Sequence, residues 1–298
     1  MNKVVIIGSK GFIGSHCAEY FKTKYEVWTC DVVVDYNESN YIVLNPVNEN
    51  FEDLFKSKKF DLCINCSGAA SVPDSYSNPE RDFTLNTYNV FKQLEAIRKY
   101  NPECRFINLS SAAVYGNPVA LPVKESQKLN PISPYGIHKK LAENICEEFQ
   151  KMFGINTCSL RIFSAYGPGL KKQLFWDLDR KIKKTNQVEL FGTGKETRDF
   201  IYISDLIKAI EFIALRTSFK GEAINIGNGI QITIEEAVAT YSENFSKKKE
   251  YRFLGENRQG DPTNWMADIQ KLKEFGYSQE VSLKQGLQNY YQWVIEQE

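Results

Sequence analysis

The chain has 298 residues, 42% of them hydrophobic, with 37 basic side chains balanced by 37 acidic ones. That length suits a nucleotide-binding domain with a smaller partner lobe, and the apolar content is ample for a core. A balanced charge argues against a nucleic-acid stripe or a membrane-surface patch, so cations that meet an anionic ligand must be placed locally.

The opening, MNKVVIIGSKGFIG, lacks a long apolar signal region with a cleavage site, and no stretch approaches a membrane span. The expectation is a cytoplasmic protein with neither a membrane nor a nucleic acid as partner. Seven cysteines in no regular framework read as reduced core residues. Cys63 and Cys66 form a C-x-x-C, but no second ligand pair stands at matching spacing, so no metal is expected.

Val4–Ile7 reads as a buried strand ended by Gly8, and Phe12–Lys22 as a helix. Glu26–Cys30 is a second strand ending at Asp31, Ile42–Leu44 a short one, Asp53–Lys58 helical, and Leu62–Asn65 a strand again. This alternation predicts a parallel sheet with helices on both faces. Phe83, Thr87, Val90, Phe91, Leu94 and Ile97 recur at helical spacing. Arg105–Leu109 is the next strand. A long helix opens at Ser133-Pro134, carries Leu141, Ile145, Cys146, Phe149 and Phe153, and stops at Gly154. Thr157–Phe163 is another strand.

After Tyr166 the regularity breaks into a Gly/Pro loop, GPGLKKQLFWDL, that runs into an amphipathic helix. Glu222–Ile226 is one more core strand closed by Gly227, and the chain ends on an aromatic helix around Tyr290, Tyr291 and Trp293. The predicted fold is therefore α/β: a Rossmann-type doubly wound parallel sheet with a smaller, mainly α C-terminal lobe. Residues 1–165 would form the dinucleotide-binding domain, with segments near 196–229 returning to it. Residues 166–298, mainly 166–195 and 230–298, would form the lobe that takes the substrate.

Gly8, Gly11 and Gly14 stand at G-x-x-G-x-x-G, directly after a strand and opening a helix. Missing side chains let the backbone approach a pyrophosphate whose charge sits at the helix N-terminus. Lys10, Phe12 and Ile13 share this loop and are assigned to the cofactor with it. Asp31 closes the second strand, where a carboxylate binds the adenine ribose hydroxyls and repels a 2′-phosphate. It favours NAD. Lys10 could meet a 2′-phosphate, so NADP stays open.

Tyr135 and Lys139 are one helical turn apart and share a face. A phenol is a poor base at neutral pH, and a nearby ammonium stabilises the phenolate and lowers its pKa. Such a pair moves a proton to or from a substrate hydroxyl while a nicotinamide takes or gives hydride. Ser110 and Ser111 end the preceding strand, at the sheet edge where ligands bind.

The ordered set of the Gly8-x-x-Gly11-x-x-Gly14 loop, Asp31, NLSSAAVYG, SPYGIHK, RIFSAYGPG and RDFIYISD resembles the extended short-chain dehydrogenase/reductase family. Within it, the set is similar to the NAD-dependent branch of nucleotide-sugar epimerases, dehydratases and reductases, over nearly the whole chain. The resemblance implies that Tyr135 transfers the proton, Lys139 holds the nicotinamide ribose, and Ser111 is the catalytic serine. It places Ser67 and Gly68 along the cofactor and Asn86 in the helix behind the site. Arg198 and Arg258 would approach the phosphates of a nucleotide diphosphate sugar, where guanidinium groups bind bidentately. Two departures stand out. NCSG replaces the family's usual motif, and Ser164 occupies a substrate-binding position that is commonly asparagine. Lys171 and Lys172 downstream either compensate or face solvent.

The related 4,6-dehydratases carry an acidic pair after the Ser/Thr, and the decarboxylating relatives a glutamate in this box. Here Ala112 and Ala113 stand there, and alanine does no acid–base chemistry. What remains is a 4-epimerase working by transient oxidation at C4 with bound NAD, or a 4-ketoreductase using NADPH. A pure C4 dehydrogenase ranks third, and a non-catalytic dinucleotide-binding protein last. Relatives commonly dimerise by pairing the two long helices. Tyr88 and Tyr100 on one, and Ile137 and Met152 on the other, lie off the core stripe, so a homodimer is expected.

Overall fold

Alternation of side chains along one strand explains how the sheet is covered. The computed structural model describes residues 1–45, 50–185, 187–246, 250–256 and 258–297. In β1 (Lys3–Ile7), Val4 and Ile6 enter one buried cluster while Val5 and Ile7 enter another on the opposite face. A strand buried on both faces reads as a continuous apolar run, and its sheet is parallel with helices on each side.

The other strands of the main sheet are β2 (Glu26–Asp31), β3 (Tyr41–Val43), β4 (Leu62–Asn65), β5 (Arg105–Ser111), β6 (Thr157–Ile162) and β11 (Lys220–Ile226). All pair in parallel, in the order β11-β6-β5-β4-β1-β2-β3. This is the predicted Rossmann-type sheet. Its direction of winding reverses between β1 and β4, which opens a crevice at the carboxyl ends of those strands. Several boundaries differ from the periodicity by a residue or two, as at β3 and at β5, which runs on through Ser111.

On one face lie α1 (Phe12–Lys22), through Cys17, Ala18 and Phe21, and the helix α8 (Ile203–Arg216). On the other lie α2 (Phe51–Ser57), α5 (Asn89–Tyr100) and α6 (Pro134–Phe153). The long α6 starts because the Ser133 hydroxyl accepts from Gly136 N at 3.1 Å with Pro134 in the first turn. It ends because Gly154 takes a left-handed conformation, φ 69°.

Between β4 and α5 the chain makes α3 (Val72–Ser77) and α4 (Pro79–Phe83). Thr84–Tyr88 then forms a π-turn, so the helix read as regular from Phe83 to Ile97 carries an extra residue in its middle.

The remaining strands are short: β7 (Ser164–Tyr166) beside β10 (Phe200–Tyr202), β8 (Gln187–Leu190) beside β13 (Glu250–Phe253), and β9 (Thr197–Arg198) beside β12 (Ile232–Thr233). They and the helices α7 (Gln173–Lys184), α9 (Ile234–Ser242), α10 (Gln270–Glu274) and α11 (Leu283–Glu296) stand above the crevice. An aromatic cluster of Tyr166, Phe175, Tyr241 and Tyr290 binds them together. No helix among the described residues is long and apolar enough to cross a membrane.

Candidate active site

A cleft of about 680 Å³ opens over the switch point between β1 and β4. Its floor is the glycine loop. A Cβ on Gly8, whose φ is 77°, would lie 2.6 Å from Ser67 N, and one on Gly14 would lie 2.1 Å from the Gly8 carbonyl oxygen. Both positions exclude any side chain, because the obstacles are backbone. Gly11, Phe12 and Ile13 face the cleft. This bare backbone at the start of α1 fits a dinucleotide pyrophosphate.

At the adenosine end the charges can be counted. Asp31 Oδ2 accepts from Lys10 N at 2.9 Å, and Oδ1 from Val32 N at 2.8 Å. The Lys10 ammonium turns away to Asp35 at 2.6 Å and Glu38 at 3.0 Å. These hydrogen bonds hold its pKa above the ordinary lysine value. Lys10 is thus bound by two carboxylates, and a 2′-phosphate here would meet a net negative corner.

At the other end, Ser111 closes β5 and its Oγ accepts from Ala113 N at 3.2 Å. It also bonds to the Tyr135 phenol. Its neighbour Ser110 is buried, and its hydroxyl donates to Glu143 at 2.5 Å. Glu143 is held in turn by the buried Arg161, 2.8 Å away. The pair of serines therefore divides, one into the scaffold and one into the cleft.

Tyr135 and Lys139 lie on the same face of α6, with the ammonium 5.9 Å from the ring centre. Lys139 is 6% exposed, and its Nζ donates to the Leu109 carbonyl at 2.8 Å. Burial pulls its pKa down to about 8, against the pull of Asp82 and Glu143. Burial also pushes the Tyr135 phenol up to about 12, with the Ser111 hydrogen bond opposing. The lowering that the sequence predicts from Lys139 is not found: desolvation is the largest influence on the phenol among the protein's own groups.

Gly68 takes φ 129°, and a Cβ there would sit 2.6 Å from Asn86 Oδ1 and 3.5 Å from Lys139 Nζ. Asn86 rides on the π-turn, is 1% exposed, and both atoms of its amide lack a hydrogen-bond partner. Buried amides are almost always bonded, so this pair of unpartnered atoms behind Gly68 is an exception among the described residues. Ser67 is turned inward, its hydroxyl on Asn65 Oδ1 at 2.5 Å.

Ser164, Arg198 and Arg258 also line the cleft. Arg198 donates to the Thr197 carbonyl at 2.8 Å and lies 5.5 Å from the Trp265 ring centre. Its strand is fixed by Asp199, a fully buried carboxylate that accepts from Asn228 N, Gly229 N and Ala267 N. Arg258 stacks over Phe191 at 4.4 Å. Phe191 and Trp265 carried no sequence signal, because only tertiary folding brings them to the cleft. No disulfide joins any of the seven cysteines, and of them only Cys66 is not buried. No group of three or more His, Cys, Asp or Glu that could hold a metal occurs among the described residues.

A doubly wound dinucleotide fold whose cleft brings together a serine, a tyrosine and a lysine defines the class. The family model described as "NAD dependent epimerase/dehydratase family" matches residues 4–227, and the chain belongs to that family. A Methanocaldococcus jannaschii protein provisionally named a UDP-glucose 4-epimerase is 29% identical over 98% of each chain. The Bacillus cereus UDP-glucuronic acid 4-epimerase, solved with UDP-glucuronic acid and NAD, superposes with a TM-score of 0.90 at 27% identity, covering 99% of this chain and 100% of that one. A UDP-N-acetylglucosamine 4-epimerase from Methanobrevibacter ruminantium, solved with UDP-N-acetylmuramic acid, has a TM-score of 0.90 at 25% identity, covering 100% and 99%.

Proposed function

We propose that the protein is an NAD-dependent 4-epimerase of a nucleotide diphosphate sugar. The observation that carries this is the Ser111–Tyr135–Lys139 set facing a glycine loop whose ribose end is ringed by Asp31, Asp35 and Glu38. The acidic ring favours NAD over NADP and, with it, the epimerase over a 4-ketoreductase. The three relatives named above also carry 4-epimerase names.

In this reading Tyr135 takes the proton from the C4 hydroxyl, and Ser111 orients that oxygen by a second hydrogen bond. Lys139, fixed on the Leu109 carbonyl, reaches the nicotinamide ribose and holds positive charge beside the phenolate. NAD, held by the glycine loop, Asp31 and Lys139, would supply hydride acceptor and donor chemistry at C4. Tyr135 then gives its proton back to the same oxygen. Ala112 and Ala113 offer no acid or base, so elimination of water does not compete. Arg198 and Arg258 hold the diphosphate while the keto-sugar turns over.

Residues 1–165 with strand β11 would carry the cofactor, and the segments above the crevice would form the substrate lobe. Phe83, Tyr88, Phe91, Ile137, Leu141 and Met152 are each at least 38% exposed on α4 to α6. They favour a homodimer paired through these helices. Tyr100 does not join them, because its hydroxyl binds Glu52 at 3.0 Å.

The test incubates purified protein with UDP-sugars, without added cofactor, and follows the C4 epimer by NMR. Tyr135→Phe should lower the rate by about 10²–10⁴-fold while leaving cofactor affinity near normal. NAD released on denaturation supports the reading. A protein that purifies empty, binds NADPH and reduces a 4-keto-sugar overturns it.

A further inference from the structure

Arg198, Arg258 and Lys172 each line the cleft with no carboxylate in ion-pair reach among the described residues. The first two are neighbours of Trp265, Thr263 and Phe191. Two guanidinium groups are enough for two singly charged phosphates. Lys172 occupies a different corner. Its Nζ donates to the Ala70 carbonyl at 3.3 Å. Ala70 comes two residues after Gly68, whose Cβ position lies 3.5 Å from Lys139 Nζ. Lys172 therefore approaches the segment after β4 that faces Lys139, on the catalytic side of the cleft, whereas Lys181, another lining lysine without an ion pair among the described residues, donates to the Glu189 carbonyl and lies beside Phe191 at the arginine end.

Backbone geometry holds it there. The next residue, Gln173, has φ 68°, a left-handed conformation that non-glycine residues adopt only when their surroundings impose it. Gly167 and Gly169, just upstream, have φ 145° and 94°. Along this path the two adjacent lysines part. Lys171 runs outward to Gln297 Oε1 at 3.3 Å and lies 5.7 Å from the Trp293 ring centre, while Lys172 turns to the cleft, as does the Gln173 side chain. Although Lys172 as a residue is exposed, partial burial of its ammonium lowers its pKa, and Asp74 offsets this only in part. An ammonium held this way gains from an anion.

We infer that Lys172 binds a carboxylate on the sugar, so that the substrate is a nucleotide diphosphate hexuronic acid. The word substrate rests on the epimerase reading above; the binding claim does not.

The test titrates UDP-glucuronic acid, UDP-glucose and UDP into the holoenzyme and into Lys172→Met and Lys172→Arg variants. The wild type should bind the carboxylated sugar about 10–100-fold more tightly than the neutral one, as a charge-assisted contact predicts. Lys172→Met should erase most of that ratio, and Lys172→Arg should keep part of it. No preference in the wild type, or an unchanged ratio in Lys172→Met, overturns the inference. So does an equal loss for both sugars and UDP, which would place Lys172 on the diphosphate. Turnover separates the two readings. Epimerisation of UDP-glucose without a carboxylate preference would leave the epimerase standing alone. Selective, Lys172-dependent binding without turnover would do the reverse.

Discussion

The ammonium of Lys139 stands 5.9 Å from the ring centre of Tyr135, and its hydrogen bond to the protein is to the Leu109 carbonyl at 2.8 Å. The folded chain keeps a buried cation there with no counter-ion at contact distance among the described residues, so stability depends on pH. The folded pKa, about 8, lies below the ordinary lysine value of 10.5. Below pH 8 both folded and unfolded states are protonated and the full cost is present. Between the two values the unfolded state holds more protons, so stability rises with pH; above them the cost is gone. Replacing Lys139 by Met should therefore stabilise the protein at pH 7 by an amount of order 3 kcal/mol. That gain should shrink toward pH 10. Urea unfolding at the two pH values, at matched cofactor occupancy, checks it; a Lys139→Met protein less stable than wild type at pH 7 contradicts the account.

Cofactor choice should respond to three carboxylates rather than one. Asp31→Ala should weaken NAD binding. Asp35→Asn with Glu38→Gln should free the Lys10 ammonium from the partners it holds at 2.6 and 3.0 Å. The triple variant should move the NADP-to-NAD affinity ratio upward by about 10-fold or more, the scale of one charge-assisted contact. Fluorescence titration with both cofactors reads it. A wild type that already prefers NADP by a wide margin rules the scheme out.

Gly14→Ala should disable the loop through backbone contact alone. The new Cβ would be 2.1 Å from the Gly8 oxygen, whereas a Cβ at Gly154 meets nothing within 4 Å. Overpacking of this kind costs about 1–3 kcal/mol. The melting temperature of Gly14→Ala should fall and its NAD affinity with it. Gly154→Ala should lose some stability, from its positive φ, and keep NAD. Equal NAD affinity in the two variants would show that the loop yields more than its geometry allows.

Assembly can be read by light scattering after size exclusion. Leu141, 38% exposed on α6, is the position to charge. Leu141→Lys should produce monomers where the wild type is a dimer, and should slow turnover because Tyr135 shares that helix. A fully active wild-type monomer at micromolar concentration would assign the exposed apolar residues another role.

What the sequence made legible was what short spacing encodes. Gly8, Gly11, Gly14 and Asp31 lie in one βαβ unit, and Tyr135 and Lys139 are a turn apart, so local periodicity brings them together. The six longer strands of the main sheet read to within a few residues, because each has a stretch of buried positions around its apolar residues. The strands above the crevice did not read at all. β7, β8, β9, β10, β12 and β13 are two to four residues long and pair across large sequence gaps. Asp35 and Glu38 gave no signal because their partner Lys10 is more than twenty residues away. Lys171 and Lys172 looked alike, and only their folded contacts, Gln297 and Trp293 for the first and Ala70 for the second, tell them apart.

The surplus residue in Thr84–Tyr88 has a consequence for heredity. Removing any one residue of that turn would let the helix heal to ordinary winding and improve its internal hydrogen bonding. Because the turn absorbs its surplus residue by winding more slowly than an α-helix, the helices on either side would keep their relative orientation after the deletion, and Phe83 would stay against His138, whose ring it meets at 5.5 Å. The displacement would fall inside the turn, on Asn86 behind Gly68. Lineages that shorten this segment should therefore keep the fold and lose the buried amide from its place.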